Sequence, residues 1–400
     1  MYIQENLNTK ITKSCDVLVC GGGFAGISAA LAAARAGKNV ILLEKLYMLG
    51  GLATAGLVTI YLPLCDGMGK QVSFGIAEEL FHLSISKGYE ADYPANWLDS
   101  NDPAQRTNKD PRFHVQFNAQ LFAILAEQLL LKEGVEILYG TCAVAAHKNG
   151  DKIDAVMIEN KSGRQAISVK SVVDSTGDCD IAHFADAPTA QFQQGNILAA
   201  WYYFTGKDGY KLRILGCSDT PDEERTEKYK DLNLAKKRFT GLDGDELSEM
   251  MQLSHAETMK DIVKKQAEDP SLLPTTIATT PQIRMTRRID GEYTLSAPEM
   301  HTYFEDSIGM VSDWRKRGPV YEVPFRTLYS GKLKNLIAAG RCTSVTDGMW
   351  DIMRVIPCCA VTGQAAGTAA AMTDDFTTLD VKKLQKALQE SGVVLHEKEL

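Results

Sequence analysis

CDVLVCGGGFAG, at residues 15–26, is the stretch that decides the fold of this chain. Its mostly apolar opening has the length of a short buried strand. Three glycines follow at the spacing GxGxxG. Gly21 permits a tight turn, Gly23 lets a pyrophosphate approach the backbone, and Gly26 lets the next helix pack closely on the strand. The stretch therefore predicts the start of a dinucleotide-binding βαβ unit.

The residues that follow complete this unit. An alanine-rich helix is predicted over 25–36, and a second strand over 40–43 ends in Glu44. The amides and the dipole at the start of the helix, at Phe24 and Ala25, favour negatively charged phosphates. Glu44 can accept hydrogen bonds from ribose hydroxyls, which disfavours NADP as the occupant. The fingerprint by itself does not choose between FAD and NAD.

Further glycine-rich blocks lie along the chain: GGLATAG at 50–56, VVDSTGDCD at 172–180, NLIAAGRC at 335–342 and RVIPCCAVTGQAAGT at 354–368. In sequence and in order, these blocks resemble the FAD-dependent oxidoreductase family of bacterial flavoproteins. That family is a relative of the glutathione-reductase-like and fumarate-reductase-like flavoproteins. The resemblance covers most of the chain, and it implies FAD as the cofactor and an oxidoreductase as the function.

Other segments extend the resemblance, and two depart from it. RMTRRIDGEY at 284–293 looks like the family's arginine-rich strand, and VPFRTL at 323–328 looks like its proline-containing strand. The departures are Cys179, where glycine is common, and DGMWD at 347–351. Because the second departure lies beside the expected flavin, it bears on the substrate and the reaction.

The predicted fold class is α/β: a three-layer parallel-sheet FAD/NAD(P)-binding domain with a β-meander and an inserted mixed α+β substrate domain. Short alternating strands separated by Asn-Gly and Ser-Gly turns indicate the meander. Its predicted strands are 135–139, 143–147, 152–159 and 165–169. The predicted domains are a first FAD-binding part at 1–178, a substrate domain at 179–330, and a closing FAD-binding part with a C-terminal helix at 331–400.

The expected FAD-binding residues come from the fingerprint, the end of the second strand, the later blocks and one meander position. Arg354, just before the small-residue helix, is expected to approach the flavin or its phosphates. The full set is Gly21, Gly23, Phe24, Ala25, Gly26, Glu44, Lys45, Gly51, Ala53, Thr54, Ala143, Thr176, Gly177, Asp178, Gly340, Arg341, Arg354, Pro357, Gly363 and Ala365.

Substrate contact is expected from the arginine-rich segment. In a strand, Arg284 and Arg288 would share one face, while Arg287 would point away. Guanidinium groups bind carboxylates through paired hydrogen bonds, so Arg284 and Arg288 are the predicted groups that bind an anionic substrate. Structural ion pairs at a domain interface are the competing interpretation.

His301 is the predicted proton-transfer residue, and a surface or capping histidine is the competing interpretation. His82 and His114 have weaker claims, and covalent attachment of the flavin through either of them stays open. The vicinal pair Cys358-Cys359 lies beside the expected flavin. Redox activity of this pair and simple burial of two small residues both account for it.

Composition argues against several classes of protein. A net charge of −8 without a Lys/Arg run disfavours a nucleic-acid partner. The scattered cysteines favour reduced thiols and a cytoplasmic location. A polar N-terminus and the lack of an apolar run of spanning length predict neither a signal peptide nor a membrane span. Because CxxC, HxxxH and HExxH are absent, no metal site is predicted, and without a second GxGxxG a disulfide-reductase mechanism is disfavoured.

The predicted function is an FAD-dependent oxidoreductase that transfers hydride between the flavin and a small organic substrate, which is anionic if the arginines bind it. The alternatives are a fumarate-reductase-like enzyme fed electrons by a partner, a non-catalytic flavin-binding redox sensor or subunit, and a biosynthetic enzyme that holds a dinucleotide without redox turnover. The electron donor or acceptor and the oligomeric state stay open.

Overall fold

The computed structural model describes residues 3–68, 70–91, 115–216 and 234–400. The strands in these ranges are β1 (Ile11–Cys20), β2 (Val40–Glu44), β3 (Ile60–Tyr61), β4 (Tyr89–Ala91), β5 (Val115–Phe117), β6 (Glu136–Tyr139), β7 (Cys142–Asn149), β8 (Lys152–Asn160), β9 (Gly163–Asp174), β10 (Thr189–Gln191), β11 (Tyr202–Gly206), β12 (Gly209–Arg213), β13 (Leu273–Ile277), β14 (Arg287–Ile289), β15 (Ser307–Ser312), β16 (Val320–Pro324) and β17 (Leu336–Ala338). The helices are α1 (Phe24–Arg35), α2 (Ile76–Ile85), α3 (Ala119–Lys132), α4 (Asp180–Phe184), α5 (Gly244–Glu268), α6 (Asp347–Met353), α7 (Ile356–Met372) and α8 (Val381–Glu390).

The centre of the fold is a seven-stranded sheet. Its strand order is β6-β2-β1-β9-β8-β7, and β17 also pairs with β9. The strands β6, β2, β1, β9 and β17 run parallel, whereas β7, β8 and β9 form an antiparallel meander. β9 serves both parts because its first half pairs with β8 and its last three residues pair with β17. The predicted α/β class is confirmed. The assignment of 135–139 to the meander is wrong, because β6 pairs in parallel with β2.

Two layers cover the parallel strands. On one face, α1 and α7 pack so closely that a Cβ on Gly363 or Gly367 would lie 2.2 Å or 2.1 Å from a backbone oxygen of α1. This close approach explains the small residues of α7, since any side chain at these two positions would separate the helices. On the other face, Leu18 and Ile41 join the meander residue Val156 in one buried cluster. The layers are therefore helices, sheet and meander.

The segment between β9 and β17 forms smaller sheets. β11 pairs with β12 and β13, β10 pairs with β14, and β15 pairs with β16. The hairpin of β15 and β16 shares the main core with α7, through residues such as Ile308 and Val323. The same segment contains the long helix α5, which begins after the N-cap Asp243; residues 217–233 lie outside the described ranges.

The arginine-rich segment is a strand over only three residues, so the prediction of a strand that includes Arg284 is wrong. β14 begins at Arg287 and pairs with β10, which is also only three residues long. The backbone amides of Arg284 and Met285 instead donate to the side-chain oxygen of Asn196, each at 3.0 Å. A buried asparagine from a distant segment thus replaces the neighbouring strand.

In the described part of the chain, no single helix combines the length and the apolar composition needed to cross a membrane. The consecutive helices α6 and α7 pass such a test only when taken together, and they meet at an angle of 90°.

Candidate functional site

A cavity of about 340 Å³ opens at the carboxyl ends of the central strands, a volume within the range of small-molecule sites. The sequence blocks converge here. Of the predicted FAD-binding residues, the lining contains Gly21, Gly23, Phe24, Ala25, Glu44, Lys45, Gly51, Ala53, Ala143, Thr176, Gly177, Asp178, Arg341 and Arg354. The others lie outside the lining: Gly26, Thr54, Gly340, Pro357, Gly363 and Ala365.

The glycines of the fingerprint differ in their surroundings. Gly21 has a φ of +106°, and a Cβ on it would lie 2.4 Å from the carbonyl oxygen of Ser175. A Cβ on Gly26 would lie 1.8 Å from the carbonyl oxygen of Gly21, which fixes α1 against β1. Around Gly23, by contrast, a Cβ would meet no atom within 4 Å. Gly23 is therefore open toward the cavity, as the approach of a phosphate requires.

Glu44 is held rigidly at the edge of the cavity. Its carboxylate accepts hydrogen bonds from the backbone amide of Gly22 at 2.9 Å and from that of Leu46 at 2.8 Å. Burial raises the pKa of this carboxyl group, and the backbone donors act in the opposite direction. Because a carboxylate has about four lone-pair sites, Glu44 retains acceptors for ribose hydroxyls.

The block at 172–180 forms a turn that a buried acid holds in place. Asp174, fully buried at the end of β9, accepts hydrogen bonds from the hydroxyl of Thr176 at 2.7 Å and from the amide of Ala182 at 3.0 Å. Burial raises the pKa of Asp174. The turn continues through Gly177, whose φ is +83°, into Asp178. Thr176 and Asp178 thereby reach the lining.

Arg287 is a supporting residue that sequence reasoning missed. Its guanidinium donates to the carbonyl oxygen of Asp178 at 3.0 Å and pairs with the carboxylate of Asp180 at 2.8 Å. Burial, together with the neighbouring acids Asp178 and Asp174, raises the pKa of Asp180 to about 6, while Arg287 acts to lower it. The arginine expected to point away is thus the one that contacts the acids at the cavity.

Arg284 and Arg288 do not share a face and are not among the residues that line the cavity. Arg284 lies over the ring of Trp201, with 5.2 Å from its Cζ to the ring centroid. Arg288 lies over the ring of Trp350 at 5.9 Å and donates to the carbonyl oxygen of Ile289 at 3.2 Å. The expected face fails because Arg284 precedes the strand. Both arginines are packed into the protein beside the site rather than at it.

The histidines also lie away from the cavity lining. His301 is half exposed and pairs with Glu397 near the C-terminus, at 2.9 Å. His82 lies on the exposed side of α2, 3.6 Å from Glu78. His114 is outside the described residues. The structure brings neither His301 nor His82 to the site.

A second set of lining residues comes from segments that the fingerprint does not include. We call it the substrate end, for the role that we propose for it under Proposed function, and it consists of Gly241, Leu247, Thr280, Pro281, Ile283, Arg354, Ile356 and Cys359. Apart from Arg354, its members are apolar or uncharged. Three of its members, Arg354, Ile356 and Cys359, belong to the block at 354–368. The others lie near the start of α5 and in the segment before β14, where no local motif marks them, and only the convergence of these segments identifies the whole set.

Two arginines border this end. The Nη1 atom of Arg341 donates to the carbonyl oxygens of Ile283 at 3.1 Å and Arg284 at 2.9 Å. These hydrogen bonds connect the block at 335–342 to the segment before β14. Arg354 donates from Nε to Asp351 at 2.9 Å. Both guanidinium groups are therefore fixed before any ligand binds.

The vicinal cysteines have different surroundings. Cys358 is buried, whereas Cys359 lines the cavity and its thiol donates to the carbonyl oxygen of Arg354 at 3.4 Å. Burial raises the pKa of both thiols, that of Cys359 to about 12. At neutral pH both are therefore protonated thiols and weak nucleophiles.

The residues present fit an FAD. The open side of Gly23 admits a phosphate, the fixed carboxylate of Glu44 suits a ribose, and the lining draws on every glycine-rich block. Within the described ranges, no group of three or more His, Cys, Asp or Glu side chains is arranged to hold a metal ion.

Comparison with known proteins agrees with this geometry. A sequence model of the family described as FAD dependent oxidoreductase matches residues 16–200 and 193–388. Together the two matches cover most of the chain.

Individual relatives match shorter stretches. Thioredoxin reductase of Ureaplasma parvum serovar 3 is 36% identical over 76 residues, which are 19% of this chain and 25% of that protein. Urocanate reductase of Eggerthella lenta is 61% identical over 41 residues, 10% of this chain and 7% of that protein. Among solved structures, the flavin-dependent brominase Bmp2 is 14% identical with a TM-score of 0.48, covering 95% of this chain and 84% of the other. The matched segments thus span a quarter or less of the two curated relatives.

Proposed function

This chain belongs to the FAD-dependent oxidoreductase family, its cofactor is FAD, and from that premise we propose that it transfers hydride between the flavin and a small organic substrate. The single observation that carries the proposal is the composition of the cavity. One continuous lining joins the nucleotide-binding turns, such as Gly21–Gly23, to the substrate end. A cofactor and a second small molecule would therefore share one cavity.

The inserted segment supplies one wall of that space. The lining residues Gly241, Leu247, Thr280, Pro281 and Ile283 all belong to the range 179–330. We therefore assign this range as the part that selects the substrate, and the ranges 1–178 and 331–400 as the part that holds the cofactor.

When bound, FAD supplies the hydride or electron transfer itself. The protein supplies position and surroundings. Glu44, Thr176 and Asp178 would hold the polar parts of the dinucleotide, and the backbone at Gly23 would admit its phosphates. At the substrate end, Leu247 and Ile283 would exclude water, which strengthens the electrostatic interactions made there.

Arg284, Arg288 and His301 have no part in this proposal, because none of them lines the cavity. The electron donor or acceptor is a separate question. A substrate that is oxidised by the flavin requires an acceptor, and a substrate that is reduced requires a donor.

The first experiment is the visible absorption spectrum of the purified protein, followed by acid extraction and chromatography of the released cofactor. Flavin bands and release of FAD are expected. The FAD-loaded protein is then mixed without oxygen with candidate donors, including NADH, NADPH, reduced viologen dyes and small organic acids and alcohols. Bleaching by one organic compound, or reoxidation of the reduced flavin by one, supports the proposal. A bound FAD that none of these compounds reduces or reoxidises contradicts it.

A further inference from the structure

Arg354 lines the substrate end although its side chain is only 7% exposed. Its Nε atom donates to Oδ1 of Asp351 at 2.9 Å, and its Nη2 atom bonds the same oxygen. Among the residues that the structure describes, Nη1 of Arg354 has no hydrogen-bond partner. Because Arg354 lines the cavity, this nitrogen can donate hydrogen bonds to a ligand that binds there.

The guanidinium of Arg354 is held firmly on its other sides. Asp351 is fully buried, and its Oδ2 atom lies 3.5 Å from Nη1 of Arg315. Arg315 in turn pairs with Asp313 at 3.1 Å. The ring of Trp314 lies 5.8 Å from Cζ of Arg354, and its Nε1 donates to the carbonyl oxygen of Asp351 at 2.8 Å. Arg354 therefore presents one edge to the cavity in a fixed orientation.

The pairing within this cluster restricts the ligand. Among the described residues, Asp351 pairs with both Arg354 and Arg315, and one edge of the Arg354 guanidinium stays open toward the cavity. A single carboxylate matches such an edge through charge-assisted hydrogen bonds. The nearby lining residues Leu247, Ile283 and Ile356 are apolar, and they suit a ligand whose remaining surface is apolar.

We propose that Arg354, positioned by Asp351, binds the single carboxylate of a small, otherwise apolar carboxylic acid, and that the substrate belongs to this class. The identification of this ligand as the substrate rests on the proposed function. The binding site itself can be tested without turnover.

The test uses the oxidised, FAD-loaded protein and three probes: benzoate, its neutral analogue benzamide, and inorganic phosphate. Tryptophan emission and the difference spectrum of the bound flavin report binding, since Trp314 stacks on Arg354. Benzoate is expected to give a saturable change in both signals. Benzamide and phosphate are expected to bind about tenfold more weakly or worse, because benzamide carries no negative charge for Arg354 and phosphate has no apolar surface for the apolar lining residues.

Variants identify the residue responsible. Arg354→Gln is expected to abolish the benzoate signal, and Arg354→Lys to weaken the affinity about tenfold, because a lysine lacks the planar fork of donors. The control is Arg326→Gln, since Arg326 is half exposed, pairs with Asp306 and does not line the cavity. FAD content and circular dichroism show whether each variant is folded.

Asp351→Asn separates positioning from charge. If Asp351 acts only through its charge, its removal leaves Arg354 more positive and strengthens benzoate binding. If Asp351 positions Arg354, the substitution weakens benzoate binding about tenfold despite the gain in positive charge. We expect the weakening.

Several outcomes would overturn the inference: equal affinity for benzoate and benzamide, unchanged benzoate binding in the folded Arg354→Gln variant, or no saturable signal with benzoate. These outcomes are distinct from failure of the proposed function. Benzoate binding through Arg354 in a protein whose flavin no organic compound reduces or reoxidises would leave this inference standing and remove the hydride-transfer proposal. If the protein turned over neutral compounds and Arg354→Gln did not affect that turnover, the hydride-transfer proposal would stand and this inference would fall.

Discussion

The two ends of the cavity are built in different ways. At the end that we propose for the dinucleotide, the nucleotide end, the cavity is formed by 21–25, Glu44 and 175–178, with Gly26 packed behind it; its important features are backbone conformations and short local hydrogen bonds. At the substrate end, side chains such as Leu247 and Arg354 arrive from separate elements. The first end depends on glycines, of which Gly21 and Gly26 leave no room for a Cβ, and the second depends on how distant segments pack. Substitutions at the first end should therefore affect folding or FAD affinity, and substitutions at the second should affect only what binds beside the flavin.

The largest effect is expected at the nucleotide end, from Gly26→Ala. The new Cβ would lie 1.8 Å from the carbonyl oxygen of Gly21, so α1 has to move away from β1. We expect the free energy of unfolding to fall by about 3 kcal/mol, as overpacking against a backbone cannot be relieved by a rotamer change. Urea unfolding of the purified protein measures it. Gly244→Ala is the control, since its Cβ would meet nothing within 4 Å, and equal stability of the two variants would refute the expectation.

Gly23→Ala separates FAD binding from folding at the same end. Because a Cβ on Gly23 meets no protein atom within 4 Å, the free energy of unfolding of the FAD-free protein should stay within about 0.5 kcal/mol of the original. The methyl group occupies the space that a phosphate needs, so we expect FAD affinity to fall about 30-fold, or about 2 kcal/mol. Titration of the FAD-free protein with FAD, followed by flavin fluorescence, measures the affinity. Unchanged affinity would mean that the dinucleotide does not approach Gly23.

The same contrast explains how far sequence reasoning reached. The nucleotide end could be predicted because each requirement selects one residue type at one spacing. Glycine is required at Gly21 and Gly26, where a Cβ would strike a backbone oxygen, and an acid is required at Glu44, where the second strand ends. Such requirements are local, so a short motif contains them.

The substrate end could not be predicted in this way. The strand β14 has only three residues because the side-chain oxygen of Asn196 accepts hydrogen bonds from the backbone amides of Arg284 and Met285. No local sequence pattern indicates this contact. The face expected for Arg284 and Arg288 disappears with it, while Arg287 turns toward Asp180. Only the position of Arg354 beside the small-residue helix pointed to this end from the sequence.

A bulky residue at the substrate end should leave the nucleotide end intact. Leu247 is half buried on α5 and lines the cavity, so Leu247→Trp places an indole in the space proposed for the substrate. We expect FAD affinity within about threefold of the original, and collisional quenching of the flavin fluorescence by acrylamide reduced about twofold, because access is blocked. Leu253→Trp, on the same helix but outside the lining, is the matched control. A large loss of FAD from the Leu247 variant alone would mean that the two ends are not separate.

The smallest effect is expected from the vicinal cysteines, and it decides whether the substrate end also carries a redox group. Burial raises the pKa of Cys359 to about 12, so the thiol form dominates at neutral pH and the thiolate increases only as the pH rises. In the FAD-free protein, alkylation of Cys359 by iodoacetamide should therefore accelerate about tenfold for each pH unit up to about pH 10, without a plateau. Peptide mass spectrometry of a Cys358→Ala variant assigns the reaction to Cys359, and Cys359→Ser should retain FAD and its spectrum. A plateau near neutral pH would instead reveal a stable thiolate beside the flavin, and the substrate end would then have to be considered as a site of thiol chemistry as well as of binding.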